Sequence, residues 1–443
     1  MSGDELFADL PEQTGGQASD PGRPRLREPV RDQIELRAVD LEALVAPDHP
    51  VRVIWAYVQE LDLSELEQAV RAREHTAGQA PASPQLLLAL WLYATSEGVG
   101  SARALARLCQ NHDVYRWLCG GVSVNYHGLS DFRTAHPELL GRLLVETVAS
   151  LSAAGVVNLD ELAQDGVRVR AAAGSSSYRR EKKLYKELKK ARRLLDRLKQ
   201  EKDDDPDASN RRIRAAQERA AREREARVGA ALRQLEEIKI QRSRRERTNK
   251  KQVEKQKEPR ASTTDPQARV MKMADGGFRP AYNCQIVSAG GGEIAVHVQA
   301  IAVGSDRGLM RPILEDVKKR YDRCPKRHLV DGGFHKNEDT EWAAGHGTKV
   351  YGPPPRSKHK RDPYEPRADD GPGVAAWRVR MKSPHGKGVY KRRARAECIN
   401  ARLRNWGLQQ FTVRGIEKVT TVLRWFALAN NILVGHRLLA LAA

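Results

Sequence analysis

A single highly charged block interrupts the middle of the chain. Residues 178–260 contain 30 Lys plus Arg and 16 Asp plus Glu, so they hold +14 of the formal net charge of +20. Within this block Leu184, Leu188 and Ala191 recur at steps of four and three, a spacing typical of amphipathic helices and coiled coils. The stretch DDDPDASN, with a proline and helix-capping residue types, divides the block in two. We therefore predict a charged helical hairpin over 178–260, inserted into a host domain.

The segments on both sides of the block have strand-like patterns. The sequence VVNLDELAQDGVRVRAAA contains two short segments around the turn-prone pair Asp165 and Gly166, and predicts a strand that ends at this pair. After the block, two strand-like runs are joined by three glycines, and a helix and a strand ending at Asp331 follow. Strands that alternate with helices in this way indicate a mixed α/β domain, which we expect to cover 155–443.

The first third of the chain has helical spacing and few strand signals. Pro84 precedes an apolar run that stops at Gly98, and a proline before a helix with a glycine after it is a common helix pattern. We predict an all-helical domain over 31–154 that binds DNA, with Arg103 and Arg133 as phosphate contacts. The same spacing is equally typical of helices that only pack against one another.

Composition limits the class of protein further. Apolar residues make up 40% of the chain, enough for a sizeable core, and the five cysteines form no C-x-x-C pair, which argues against a disulfide framework. Residues 1–30 are polar and acidic, so we predict a disordered lead-in without a secretory signal. The most apolar stretch, 419–443, is interrupted by polar residues at short intervals, so we predict a buried helix there and no membrane span.

The segment VYKRRARAECINARLRNW carries one carboxylate among many cations. Glu397 is the only acid from 371 to 416. Steps of 3, 4 and 7 positions place four residues on one narrow face of a continuous helix: Tyr390, Arg393, Glu397 and Arg404. A solvated face with ordinary salt bridges has similar spacing. The tyrosine in the same register and the lack of other acids favour a functional face.

This face matches the Y-x2-R-x3-E-x6-K/R signature of DDE-type insertion-sequence transposases, with Arg404 in the lysine position. Further blocks resemble the same family: QDGVRVRA, STTDPQARVMKM followed by YNCQ, GSDRG, LVDGGF, FTVRGIEKV and ALANNIL. The N-terminal part resembles it through HPVRVIW, EGVGSARALAR and GLSDFRTAH. The resemblance extends over about 32–438 and implies a ribonuclease H-like catalytic domain.

The resemblance also implies that Asp165, Asp331 and Glu397 are catalytic residues and metal ligands. Two divalent cations about 3.5–4 Å apart activate the attacking oxygen and stabilise the leaving oxygen of a phosphoryl transfer. Mg²⁺ takes few, hard oxygen ligands, and we expect Mn²⁺ to substitute for it. Without cations, three clustered carboxylates would repel one another. No nucleotide cofactor is expected, because the chain has no G-x4-G-K-[ST] loop.

The remaining residues of the signature face point to a polyanionic substrate. Arg393 and Arg404 are expected to contact phosphates through their guanidinium forks, and Tyr390 to stack on a base or bind a phosphate. Residues 351–410 contain 15 Lys plus Arg and 5 acids. The expected partners are double-stranded DNA, both terminal inverted repeats and target DNA, and a second copy of the chain in a synaptic homodimer. For the charged hairpin, a DNA clamp, a dimer contact and a solvated spacer remain open.

Together with these patterns, the resemblance implies a bacterial, cytoplasmic DNA transposase, associated with the nucleoid when bound to DNA. It would cleave and join DNA at the ends of its own element. Two alternatives stay open at this point. One is a ribonuclease H-like nuclease without strand transfer, and the other is a basic DNA-binding protein without enzymatic activity, in which the three acids are structural.

Overall fold

The structure is a computed structural model of the chain. It describes residues 38–70, 72, 80–204, 211–246, 258–289, 291–355 and 362–442. The chain divides into two units, Met1–Asp40 and Leu41–Ala443, and nearly all of the first lies outside the described residues. The predicted lead-in over 1–30 therefore stays a prediction.

Seven helices occupy the N-terminal part of the described chain. They are α1 (Pro50–Gln59), α2 (Ser64–Gln68), α3 (Pro84–Ser96), α4 (Ala102–Asn111), α5 (Asp113–Cys119), α6 (Tyr126–Ala135) and α7 (Pro137–Ala153). Local capping begins several of them: the side chains of Ser83, Ser101 and Asn125 accept backbone N–H groups of the first turns of α3, α4 and α6. Helix α3 is buried along most of its length, which makes it the centre of this group.

A six-stranded mixed sheet follows. Its strands are β1 (Glu161–Arg170), β4 (Arg269–Lys272), β5 (Phe278–Ala289), β6 (Ile294–Ile301), β7 (Arg327–Leu329) and β8 (Lys349–Tyr351). The order is β4-β5-β1-β7-β8, with β6 also paired to β5. Strand β1 is antiparallel to β5 and parallel to β7, and β7 is parallel to β8. A separate two-stranded sheet joins β2 (Tyr178–Arg179) to β3 (Ala261–Ser262).

Eight further helices complete the described chain. They are α8 (Glu181–Asp204), α9 (Arg211–Glu246), α10 (Met310–Tyr321), α11 (Asn337–Gly345), α12 (Pro372–Lys382), α13 (Pro384–Lys391), α14 (Ala396–Asn405) and α15 (Ile416–Ala442). Helices α8 and α9 lie between β2 and β3 and pack against each other. The segment that connects them, 205–210, lies outside the described residues.

Helix α15 joins the helical part to the sheet. Trp425 and Leu428 belong to the apolar core around α3, while Val419 and Val422 belong to the core that covers one face of the sheet. By length and composition this helix is apolar enough to cross a membrane, but 56% of its most apolar window is buried inside the protein. Burial of this kind is typical of the core helix of a soluble protein.

Arg133 is placed differently from the expectation that it contacts DNA. It is buried, and its Nη1 donates to the carbonyl of Gly100 (2.6 Å) and to Thr412 Oγ1 (2.9 Å). The Cζ atom of its guanidinium lies over the Trp91 ring, 4.7 Å from the ring centroid. Arg133 therefore ties α6 to the segment before α15, and the prediction of a phosphate contact is wrong for this residue.

The strand that carries Asp165 does not end there. Strand β1 runs without interruption from Glu161 to Arg170, and Gly166 pairs with Gln285 of β5. Glycine is needed at this position for space: a Cβ on Gly166 would lie 2.4 Å from Oδ1 of Asp306. The Asp-Gly pair thus lies inside a strand at a close approach of Asp306, and the prediction that the strand ends at this pair is wrong.

The signature segment is also not one continuous helix. A 3₁₀ turn, Arg392–Arg395, separates α13 from α14. At this turn the β5–β6 connection comes close: a Cβ on Gly292 would lie 2.1 Å from the carbonyl oxygen of Arg395. A 3₁₀ turn has fewer residues per turn than an α-helix, so the 100° steps assumed from the sequence do not hold across it.

Candidate active site

Both carboxylate oxygens of Asp165 accept hydrogen bonds from the segment that contains α14 and the 3₁₀ turn before it. Its Oδ1 accepts from Nη2 of Arg393 (2.8 Å) and from the backbone N–H of Gly166 (3.0 Å), and its Oδ2 accepts from Nδ2 of Asn400 (2.8 Å). The Arg393 side chain is only 13% exposed. Burial raises the pKa of Asp165, the charge of Arg393 lowers it, and the charge of Asp331 raises it again.

Asp331 lies on the loop after β7, the strand parallel to β1. It is the N-cap of the 3₁₀ turn Gly332–Phe334, where its Oδ1 accepts the N–H of Gly333 at 2.6 Å. Because parallel neighbours β1 and β7 lie side by side, Asp331 is close enough to Asp165 for its charge to raise the pKa of that carboxyl. The fold thus brings together two aspartates that are far apart in sequence.

Glu397 lies in the first turn of α14, at the edge of this group. Its Oε1 is 3.8 Å from Nη1 of Arg393, and its side chain is 69% exposed. Tyr390 is affected by the charges of all three acids. Burial raises the pKa of Tyr390, and the charge of Arg393 lowers it. The charges of Asp331, Asp165 and Glu397 each raise this pKa. The phenol therefore lies within the field of all three carboxylates.

Arg404 is less closely associated with the others. It is exposed in the last turn of α14, two turns beyond Glu397. Its guanidinium makes no hydrogen bond or ion pair with any residue that the structure describes. Of the six residues predicted from the sequence, the structure groups Asp165, Asp331, Tyr390 and Arg393 with Glu397 beside them, and it places Arg404 apart.

The side chains around Asp165 offer ligand atoms of the kind that a divalent cation prefers. Carboxylate oxygens are the ligands that Mg²⁺ prefers, and Oδ1 of Asn400 is a further oxygen, buried without a hydrogen-bond partner among the described residues. Within the described ranges no group of three or more His, Cys, Asp or Glu side chains is assembled to hold a metal ion. The chemistry of the donors fits a divalent cation, and Glu397 and Arg393 would have to rearrange for the carboxylates to converge on it.

Asn400 is a site residue that sequence reasoning missed. It follows Glu397 by three positions, which places both on the same face of α14. That spacing could have indicated that Asn400 belongs to the site. An asparagine on a helix surface does not by itself indicate a functional residue, however, unless its hydrogen-bond partner is known. The partner, Asp165, is more than 200 positions away, and only the fold shows the contact.

A buried polar layer lies on the opposite face of β1. Asp306 Oδ1 accepts from Nδ2 of Asn283 (2.7 Å) and Nε2 of Gln285 (2.9 Å), and its Oδ2 pairs with Arg168 (3.2 Å). Asn283 and Gln285 are fully buried. The space left by Gly166 lets Asp306 come against the strand directly beside Asp165. This layer fixes the loop before α10 to the strand of the first aspartate.

Two parts of the chain match known protein families. Residues 39–135 match the family described as a transposase domain (DUF772), and residues 252–432 match the transposase DDE domain. The two matches together span more than half of the chain. The chain belongs to the DDE-type insertion-sequence transposases.

The matched ranges of this transposase include some site residues and leave out others. Asp331 and Glu397 lie within the DDE match, whereas Asp165 and the α8/α9 pair fall between the two matches. No curated protein and no solved structure matches the chain significantly. The assignment of individual catalytic residues therefore depends on the geometry around Asp165.

Proposed function

We propose that this transposase cleaves DNA at the ends of its own mobile element and joins those ends to target DNA by metal-dependent phosphoryl transfer. The observation that carries the proposal is the convergence on Asp165. Arg393 and Asn400, from the segment that also bears Glu397, donate to both of its carboxylate oxygens, and the charge of Asp331 acts on it from the parallel strand. Titratable groups perturbed by a specific charged neighbour are common at active sites.

The three acids have one shared role in this proposal. Asp165, Asp331 and Glu397 would hold Mg²⁺, with Mn²⁺ as a substitute. The cations would supply activation of an attacking oxygen and charge stabilisation of the leaving oxygen, so no protein nucleophile is needed. Asn400 would orient the carboxylate of Asp165 through the donated hydrogen bond.

The cationic and aromatic residues would bind the substrate. Arg393, which already presents its guanidinium beside Asp165, would donate to a phosphate next to the scissile bond, since a planar fork suits phosphate oxygens. Arg404 would contact a phosphate two helical turns away, and its exposure leaves it accessible for that contact. Tyr390 would stack on an unpaired base or donate its hydroxyl to a phosphate.

The architecture supports the same proposal. A sheet with an antiparallel side (β6, β5, β1) and a parallel side (β7, β8) is consistent with the ribonuclease H-like domain that the sequence resemblance implied. The helical part would bind the terminal inverted repeats, and two copies would hold two element ends in a synaptic homodimer. The proposed setting is the bacterial cytoplasm, at the nucleoid when DNA is bound.

A strand-transfer assay tests the proposal against its two competitors. A donor oligonucleotide with a terminal-repeat sequence and a free 3′-hydroxyl is incubated with plasmid DNA and Mg²⁺. A transposase yields a joined product, a nuclease yields only cut DNA, and a DNA-binding protein yields neither. Glu397→Gln should abolish both products while the affinity for DNA, measured without divalent metal, stays unchanged. Joining that persists in this variant would contradict the proposed role of Glu397.

A further inference from the structure

The α8/α9 pair has one side that is already occupied. The buried residues between the two helices are Leu184, Ala191 and Leu195 of α8 and Val228, Ala231 and Leu235 of α9. The apolar stripe of α8 is therefore covered by α9. This stripe was the feature that made a coiled-coil contact with a second copy plausible, and it is not free for such a contact.

The opposite side of α8 carries an uninterrupted row of cations. Steps of 4, 3, 4 and 4 positions place five exposed residues on the face directly away from α9: Lys182, Lys186, Lys189, Arg193 and Arg197. At 1.5 Å per residue this row, the α8 stripe, is about 22 Å long. Asp196 is exposed at the edge of the stripe. The stripe is thus a narrow, strongly positive surface.

The stripe differs from the rest of the pair in how its charges are balanced. None of its five cations forms an ion pair with a residue that the structure describes. Several cations on other faces of the pair, by contrast, have acidic partners: Arg192 with Glu225, Arg222 with Glu218, Arg224 with Glu187 and Arg227 with Glu223. Like charges one turn apart destabilise a helix by about 0.2–0.5 kcal/mol per pair. The unbalanced stripe therefore favours a polyanion that would relieve this repulsion.

We propose that the α8 stripe binds the phosphate backbone of double-stranded DNA. About 22 Å of duplex carries roughly 13 phosphate charges, so a straight helix of this length faces more phosphates than it has cations. A second copy of this chain would bring the same positive net charge of +20 to the surface. The inference depends on the proposed function only in taking duplex DNA as the substrate, and the stripe lies outside both family matches.

The test is the salt dependence of duplex binding, measured without divalent metal so that no cleavage occurs. The stripe variant replaces Lys182, Lys186, Lys189 and Arg193 by Gln in the full chain. Each lost phosphate contact lowers the slope of log Kd against log salt by about 0.9, so we expect a decrease of about 2–4. A slope within one unit of the wild-type value would overturn the proposal.

A matched control removes the same number of charges from the same pair. It replaces Arg192, Arg222, Arg224 and Arg227, all of which have acidic partners, by Gln. We expect its slope to stay within about one unit of the wild-type slope. An equal decrease in the control and the stripe variant would show that only net charge matters, and would overturn the proposal.

A second measurement needs no variant and so does not depend on folding of the substituted protein. Lysines of the wild-type chain are acetylated with and without duplex, and the products are measured by mass spectrometry. DNA should protect Lys182, Lys186 and Lys189, while Lys319, exposed on α10, stays equally reactive. Uniform labelling with and without DNA would overturn the proposal. Because neither measurement involves cleavage, either can fail while the strand-transfer assay succeeds.

Discussion

The orientation of the Asp165 carboxylate depends on side-chain hydrogen bonds from Arg393, in the 3₁₀ turn, and Asn400, on α14. The first prediction concerns Asn400, which donates to Oδ2 of Asp165. In Asn400→Ala the carboxylate loses this donor, and a hydrogen bond to a charged group contributes about 1.5–3 kcal/mol. We expect DNA cleavage to fall by about 10- to 150-fold. Asn405→Ala, an exposed asparagine at the end of the same helix, is the control. Equal cleavage by the two variants would show that Asn400 does not orient Asp165.

The second prediction is a dependence of stability on pH. The folded state raises the pKa of Asp165, chiefly through burial. Ionisation of this group therefore costs the wild type stability as the pH rises from its ordinary value, about 3.9, through the raised value. Asp165→Asn does not pay this cost. In EDTA, we subtract the melting temperature of the wild type from that of the variant. This difference should be larger at pH 7 than at pH 3.5. A difference that is constant or of opposite sign would contradict the raised pKa.

Sequence patterns predicted the acids but not their surroundings. Asp165 and Asp331 were proposed from their places at the predicted ends of strands and Glu397 from its position alone among cations, and the family resemblance then implied that all three are metal ligands. The strand end predicted at Asp165 was wrong. Glycine is required at position 166 by the close approach of Asp306, which is distant in sequence, and local composition cannot distinguish that requirement from a turn. Asn400 was missed for the same reason: its meaning comes from a partner on β1.

At the scale of elements, the break between α13 and α14 depends on the β5–β6 connection. Both Gly292 and Gly276 have left-handed backbones, with φ of +88° and +82°. A Cβ on Gly292 would overlap the backbone of Arg395. A Cβ on Gly276 would have no heavy atom within 4 Å. Substitution by Ala should cost about 1 kcal/mol at either position from backbone strain. Gly292→Ala should cost an additional 1–3 kcal/mol, approximately, from the overlap.

Chemical denaturation of the two variants measures the difference in their free energies of unfolding. A cleavage assay shows whether the distortion at Gly292 also affects the active site. The overlap lies two residues before Glu397, so Gly292→Ala should also reduce cleavage while Gly276→Ala keeps it. Equal stability of the two variants would mean that the close approach does not exist in solution.

Helical periodicity predicted these elements unevenly. It correctly predicted helices within the charged block, because one apolar face per helix is a local pattern and α8 and α9 bury those faces against each other. It did not predict the 3₁₀ turn at Arg392–Arg395, which coincides with the approach of a connection about 100 residues earlier.

For the whole molecule, α15 is the element that connects the helical core to the sheet. Trp425 is buried, and its Nε1 donates to the carbonyl of Arg133 at 2.9 Å. Trp425→Ala should lower the free energy of unfolding by about 3–5 kcal/mol. Leu441→Ala, on the exposed end of the same helix, should change it by less than about 0.5 kcal/mol.

Calorimetry of the full chain checks this prediction. Because both cores share α15, we expect one cooperative transition in the wild type, shifted as a whole in Trp425→Ala. Two transitions, of which the substitution moves only one, would show that the helical part and the sheet unfold independently. Local patterns predicted helices up to residue 154, but they contain no information that a helix near the C-terminus completes the same core.

The central claim is that Asp165, Asp331 and Glu397 hold the same divalent cations. The metal preference of cysteine variants tests this claim most directly. Thiolate is a softer ligand than carboxylate, and Mg²⁺ takes oxygen ligands. Each of Asp165→Cys, Asp331→Cys and Glu397→Cys should therefore cleave DNA measurably in Mn²⁺ and at least tenfold less in Mg²⁺, while Glu338→Cys, on the exposed surface of α11, keeps the wild-type preference. If any of the three variants cleaves equally well with both metals, that residue is not a ligand and the account of the active site is wrong.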